Sequence, residues 1–197
     1  MKTKFSALIL LLSITSFKTL SAQPLLSGNL LFLKHEKVIN IEFVYDSMGV
    51  GSKTEAEYIL EKVNEQNESL PGKGDKWLVE WNDNKAFNYP NAFIVNFNKK
   101  MKKSGIVAEK HSSAAKYTMV VKTHHFESGF SGIGLITMAS EVNLEILFYE
   151  SNIRSQEVAK LSLGSVSGAS GAPATAYGVA GTNTAKYFLK NVLDDIK

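Results

Sequence analysis

The chain of 197 residues has no cysteine, only four prolines and only two tryptophans. The missing thiol excludes disulfide staples, thiol catalysis and cysteine-ligated zinc. A chain of this length buries enough apolar surface to fold without staples. No apolar run reaches the roughly 20 residues that a membrane-spanning helix needs. Once the first 22 residues are set aside, a surplus of positive charge is missing too. Those residues hold Lys2, Lys4 and Lys18 and no acid, so the remaining 19 basic residues meet 19 acidic ones. A nucleic-acid partner calls for a lysine and arginine surplus that displaces counterions, and none exists globally. The local run Lys99-Lys100-Met101-Lys102-Lys103 reads as a helix C-terminus whose cations complement the dipole.

What the chain does have, first of all, is an address. Lys2 and Lys4 precede an apolar run from Phe5 to Phe17, and Leu20-Ser21-Ala22 follows. A charged start, a greasy middle and small residues at the end are the order of a secretory signal peptide. Residues 1–22 are therefore expected to be cleaved after Ala22. A lipoprotein would carry cysteine where Gln23 stands. Residues 23–197 fit a single domain, exported to the periplasm or the cell exterior, with no transmembrane segment.

Apolar periodicity orders the rest. Gly28–Lys34 and Val38–Tyr45 are β-prone runs joined by His35-Glu36-Lys37, which predicts a hairpin. Ser52 and Glu55 have capping-box spacing, and Ala56, Ile59, Leu60 and Val63 then share a helical face. Pro71-Gly72-Lys73-Gly74 is a loop. Asp75 suits the cap of a second helix with Trp77, Leu78 and Trp81. Pro90 suits the first turn of a third, with Phe93, Ile94, Phe97 and Met101 inward. Alternation predicts strands over 116–126, 141–150 and 157–163, with a weak further strand at 106–109. Residues 164–171, rich in glycine and serine, are expected as loop, and 175–196 as a closing helix. The sum is α+β: an antiparallel or mixed sheet of about five to six strands with helices mainly on one face.

The motifs that suggest chemistry have simpler explanations. Ser47-Met48-Gly49-Val50-Gly51-Ser52-Lys53-Thr54 lies between strand and helix like a phosphate loop, but serines fill both required glycine positions. A dinucleotide fingerprint needs glycine where Thr54 stands. His124 and His125 are adjacent on a strand and point to opposite faces, so they do not chelate together. His125 and Glu127 share a face, but two ligands do not make a zinc site. No Gly-x-Ser-x-Gly elbow occurs. The pairs Glu55/Glu57 and Asp194/Asp195 sit at solvated helix ends rather than across a cleft. No catalytic residue, metal or cofactor is expected.

Two features fit binding. Trp77, Trp81, Phe87, Tyr89, Phe93 and Phe97 cluster within about twenty residues, a spacing that suits a core helix. Trp81 and Tyr89 are the members best suited to show a polar edge to a glycan. The connection from Ser128 to Ala139 is glycine-rich and carries Phe130, Ile133, Leu135 and Ile136. Apolar side chains in a loop either fold back on the sheet or meet a partner.

Several stretches carry a resemblance: Gly28–Lys37, Tyr45–Gly51, Glu55–Ile59, Pro71–Trp77 and Phe126–Phe130. They resemble a family of uncharacterised exported proteins of Bacteroidetes-type bacteria, over most of the chain after the leader. The family has proline where this chain has Ser128. It carries no assigned catalytic residues, and none is transferred. The strand–helix order is also similar to small α/β domains of periplasmic Tol-system and curli-secretion proteins, which serve as interaction modules; this is an analogy of fold. Together these imply a non-enzymatic envelope protein that binds a protein or surface partner through Phe130, Ile133, Leu135 and Ile136. A glycan-binding module using Trp81 and Tyr89, and a hydrolase of unrecognised type, are the alternatives.

Overall fold

The structure, a computed structural model, describes residues 25–132 and 137–193. The leader expected at 1–22 and the Asp194/Asp195 pair lie outside these residues. β1 (Leu25–Gly28) leads through a 3-10 turn, Leu31–His35, to β2 (Val38–Val44). β3 (Gly49–Val50) and β4 (Lys53–Thr54) form a short hairpin that delivers the chain to α1 (Glu55–Ser69). α2 (Lys73–Asp83) passes through a π-helical turn, Asn84–Asn88, into α3 (Tyr89–Met101). β5 (Val107–Glu109), β6 (Tyr117–Glu127), β7 (Phe130–Ser131), β8 (Thr137–Glu150) and β9 (Ile153–Ser170) follow, and α4 (Pro173–Asn191) closes the fold.

The architecture is α+β, as the alternation of patterns predicts. Six strands stand in the order β1-β9-β8-β6-β2-β5, with the short β3, β4 and β7 off that line. The sheet is thus larger than the five to six strands expected. β6, β8 and β9 form an antiparallel meander, while β2 runs parallel to both β6 and β5. Parallel neighbours need a long crossover, and α1, α2 and α3 supply it between β2 and β5.

Helices α3 and α4 build the core against the sheet. Phe93, Phe97, Phe188 and Tyr177 pack with Met119, Val121, Leu144, Ile146 and Phe148, all essentially without solvent contact. The Phe97 and Phe188 rings meet edge to face at 5.8 Å. α3 and α4 touch backbone to backbone at Gly181, where a Cβ would lie 2.2 Å from the Phe93 carbonyl oxygen. Pro90 sits in the first turn of α3, as expected, because its missing N–H has no helical partner to lose there.

Three local expectations are corrected. The predicted hairpin of Gly28–Lys34 with Val38–Tyr45 does not form. β1 pairs antiparallel with β9 instead, Gly28 opposite Ala159, at the far side of the sheet from β2. The apolar residues after Gly28 form the 3-10 turn, which buries Leu33 and sets the Phe32 ring 4.1 Å from that of Tyr117. They seal one end of the sheet rather than line a strand.

Residues 164–170 are strand, not loop, and pair with β8 as far as Ala139 opposite Ser170. Small residues are required there because α4 passes directly over them: a Cβ on Gly168 would sit 2.3 Å from the Ala176 nitrogen.

The cap of α1 is Thr54, not Ser52. Thr54 Oγ1 accepts from the Glu57 N–H at 3.2 Å, and the Glu57 carboxylate accepts from the Thr54 N–H at 2.9 Å. Ser52 falls in the β3–β4 turn, so helical geometry starts two residues later than the spacing suggests. α2 likewise starts behind Gly72 (φ 81), which leaves Asp75 in the first turn rather than at the cap.

Candidate functional site

β2 has neighbours on both sides only over its first half. β5 covers Val38, Ile39 and Asn40, and then the chain leaves the sheet. His111 makes the departure with φ 58, an angle rarely adopted by residues other than glycine. Asn40 holds the departing strand away: its Oδ1 accepts from the Ser112 N–H at 3.1 Å, and its Nδ2 donates to Thr118 Oγ1 at 3.1 Å. Beyond Asn40, no described strand pairs with this side of β2.

A groove of about 610 Å³ runs along that open edge. Its sheet side is Ile41–Tyr45, its helix side is formed by Lys85, Ala86, Phe87 and Pro90, and Lys110 and His111 line it as well. The π-helical turn forms the helix side, and two of its carbonyls accept from side chains. The Tyr45 hydroxyl donates to the Lys85 carbonyl at 3.0 Å, and Lys110 Nζ donates to the Ala86 carbonyl at 3.2 Å. Phe87 stands in the wall with 65 % of its surface exposed.

Charges around the groove are mostly matched. Glu55 accepts from Lys85 Nζ and, at 2.8 Å, from Trp81 Nε1. The expectation of Glu55 on a solvated helix end is therefore corrected: its carboxylate is turned inward against α2. Glu42 is engaged by Arg154. Lys110 contacts no described carboxylate. Burial pushes the Tyr45 phenol far above its ordinary range, and the phenols of Tyr177 and Tyr89 push the same way. Burial raises Tyr89 and Tyr177 as well. Tyr45 donates to the Lys85 carbonyl, the Tyr177 hydroxyl lies 3.0 Å from Thr123 Oγ1, and all three rings pack within the fold.

Trp81 and Tyr89, the residues expected to show a polar edge to a glycan, are almost wholly buried. Trp81 is 5 % exposed and Tyr89 4 %. Their ring faces are occupied from within: Trp77 stacks on Trp81 with centroids 5.5 Å apart, and Tyr177 stacks on Tyr89 at 4.8 Å and 5°. Phe126 meets Trp81 edge to face at 5.3 Å. With Trp77, Phe126 and Ser128 the two residues line a cavity of about 340 Å³.

The 128–139 connection contains β7, paired with the start of β8. Phe130 lies opposite Met138, and both are exposed, at 45 % and 43 %. The pair is held in place by the Ser131 hydroxyl, which donates to the Ser170 carbonyl at 3.3 Å. Ile133, Leu135 and Ile136 lie outside the described residues.

The remaining sequence motifs are structural. In the 47–54 segment the Gly51 N–H donates to the Phe126 carbonyl at 3.1 Å, and the Glu127 carboxylate lies against the Gly51 turn. An anion finds its amide spent and a negative charge beside it. His124 and His125 reach different carboxylates, Glu145 at 3.4 Å and Glu127 at 3.3 Å. Among the described residues no cluster of three potential ligands forms a metal site.

The sequence reading missed the groove. Alternation identified Val38–Tyr45 as a half-buried strand but carries no information on which strands flank it, and β5 ends at Glu109, two residues before the turn at His111. The usable signal was Phe87, the member of the aromatic cluster off the inward stripe.

No family model matches the chain, and the comparison with curated proteins gives no match. Among solved structures, the chain is similar to the PelC dodecamer from Paraburkholderia phytofirmans at 12 % identity, over 85 % of this chain and 96 % of that one, with a TM-score of 0.42. A point variant of the same dodecamer is similar at 10 % identity, over 85 % and 93 %, with a TM-score of 0.40. Likeness at this level carries no statement about activity or partners. Among the described residues no helix is long and apolar enough to cross a membrane.

Proposed function

We propose that the chain is an exported, non-enzymatic protein-binding module of the cell envelope, and that its partner seats in the groove along β2. One observation carries this reading: an apolar trough beside an unpaired strand edge, with Phe87 presented to solvent in its wall. Large exposed aromatics bordering a groove are the usual anchors of a protein interface. The ionisable groups nearest the trough support binding over catalysis, since Lys85 and Glu42 are already tied to Glu55 and Arg154. Phe130 and Met138 form a second, smaller apolar contact, in line with the role expected for the 128–139 segment. The signal-like leader supports export, and mass determination of the native protein tests it: a chain starting at Gln23 is expected.

A photo-reactive amino acid placed at Phe87 tests the groove in the cells that make the protein. A discrete crosslinked polypeptide is expected there and not from Leu60, an exposed residue on α1. Equal labelling from both positions, or none from Phe87, contradicts the reading.

A further inference from the structure

We infer that the groove takes an extended, acid-bearing peptide segment of a partner protein, added to the sheet as the next length of β5's line. The inference rests on the reading of the groove as a partner site and names what fills it.

The main chain supplies the first argument. The Lys37 carbonyl accepts from the Val107 N–H, so it faces β5. Backbone groups alternate sides along a strand. Ile39, Ile41 and Phe43 therefore turn their N–H and C=O groups to the same side as Lys37. β5 covers Ile39 and, in the parallel Asn40–Glu109 pairing, takes the Ile41 N–H as well, so the Ile41 C=O and both groups of Phe43 open into the groove. Such a row is a template for strand addition, which takes its affinity from main-chain hydrogen bonds and its selectivity from side-chain pockets.

Shape supplies the second. An incoming strand sends alternate side chains to opposite faces. One set meets Ala86, Phe87 and Pro90 of the helix side, and the other faces solvent. No proline or bulge interrupts β2 between Ile41 and Val44, so nothing in the strand resists a neighbour. The chain's own continuation is kept out by the turn at His111 and the Asn40–Ser112 hydrogen bond.

Charge supplies the third. Lys85 and Glu42 have partners of opposite sign, whereas Lys110 donates only to the Ala86 carbonyl. His111 lies beside it. The unmatched charge lining the groove is positive, so the segment that fits best carries a carboxylate near Lys110.

The test is a display selection of random linear decapeptides against the purified protein, followed by anisotropy titration of the selected peptides. The expected winners alternate β-branched residues and carry an aspartate or glutamate. Binding is expected to weaken about tenfold in Lys110→Glu, with Lys110→Gln intermediate. N-methylation of alternate peptide amides should weaken it by more than about tenfold, because it removes main-chain donors and blocks the edge. The bound peptide should slow amide exchange at Phe43.

Winners that are basic, or insensitive to Lys110→Glu, overturn the charge assignment. Insensitivity to N-methylation overturns strand addition while leaving a side-chain partner in the groove. Self-association removed by Phe87→Asp in sedimentation identifies a second copy of this chain as the occupant and overturns the peptide. If no peptide is selected and Phe87 also fails to crosslink in cells, the underlying reading of the groove falls with it.

Discussion

The two outer edges of the sheet are built on opposite terms. At the β9 edge, β1 lies across Ala159–Leu161, and the ladder to β8 shifts register at several points. Gly164 there has φ 56, and Ser165 and Ser167 are exposed. Irregular, polar and partly covered, that edge is blunted in the ways natural sheets use against unwanted pairing. At the β2 edge, β5 covers only the first half, and Ile41–Val44 continues straight beside an apolar wall. A protein that blunts one edge and leaves the other regular presents the regular one for pairing. The difference is chemical as well as geometric, since glycine and serine populate one edge and isoleucine, phenylalanine and an unmatched lysine the other.

The comparison breaks most forcefully at Gly28. Its φ is 69, and a Cβ would lie 1.9 Å from the Val158 carbonyl oxygen. Gly28→Val should detach β1, uncover β9 and cost about 3 kcal/mol. Denaturant melts check the stability, and light scattering should show concentration-dependent association absent from the parent. Unchanged solubility would mean that β1 is not the shield.

Asn40 is the matching point at the other edge. Asn40→Ala removes the acceptor for the Ser112 N–H and the donor to Thr118. The expected loss is about 2 kcal/mol, because a buried side-chain network is left half made. Exchange at Ser112 should accelerate with it. Wild-type exchange there would show that Asn40 does not hold β5 off the edge.

These edges were the part of the fold hidden from sequence reading, and the reason is physical. The alternation of Tyr117, Met119 and Val121, or of Val142, Leu144, Ile146 and Phe148, reports which residues face the core, because that depends only on local pleat. It does not report neighbours. The run Gly28–Lys34 looked like the first arm of a hairpin, yet Gly28 meets Ala159 and Leu33 closes a turn. The glycine and serine stretch at 164–170 read as loop because its requirement, the close passage of α4 over Gly168, comes from Ala176, which lies in another element. Helices were more legible: Pro90 and the Phe93–Phe97–Met101 stripe predicted α3, since capping and periodicity are local. The groove was invisible, for it exists only where β2, β5 and the π-helical turn meet.

Smaller effects sharpen the account. Thr54→Ala should cost about 1 kcal/mol through the lost cap of α1, read by thermal melts. It should also change the acid limb of stability. Hydrogen bonds from the Thr54 backbone and hydroxyl hold the Glu57 carboxyl below its ordinary 4.5. A group lowered on folding stabilises fully above its unfolded value, and that contribution is lost as pH falls through the lowered folded value. The wild type should therefore lose stability slightly more steeply than Thr54→Ala on acidification below about pH 4.5; parallel curves would mean that the Thr54 backbone N–H, which the substitution keeps, sets the whole shift.

The mildest change is Phe130→Ser. Phe130 and Met138 are exposed, so stability should shift by less than about 0.5 kcal/mol. Binding of an apolar dye should fall, and crosslinking at Phe87 should persist. A large destabilisation would show that the β7–β8 tip is part of the fold's support rather than a free contact.

Amide hydrogen exchange along β2, followed residue by residue in the unliganded protein, bears most directly on the open edge. Glu42 and Val44, whose amides turn to β6, and Ile41, whose amide pairs with Glu109, should be protected, while Phe43 exchanges orders of magnitude faster. Uniform protection across all of Ile41–Val44 would mean that the edge is already covered, and the peptide groove would not exist.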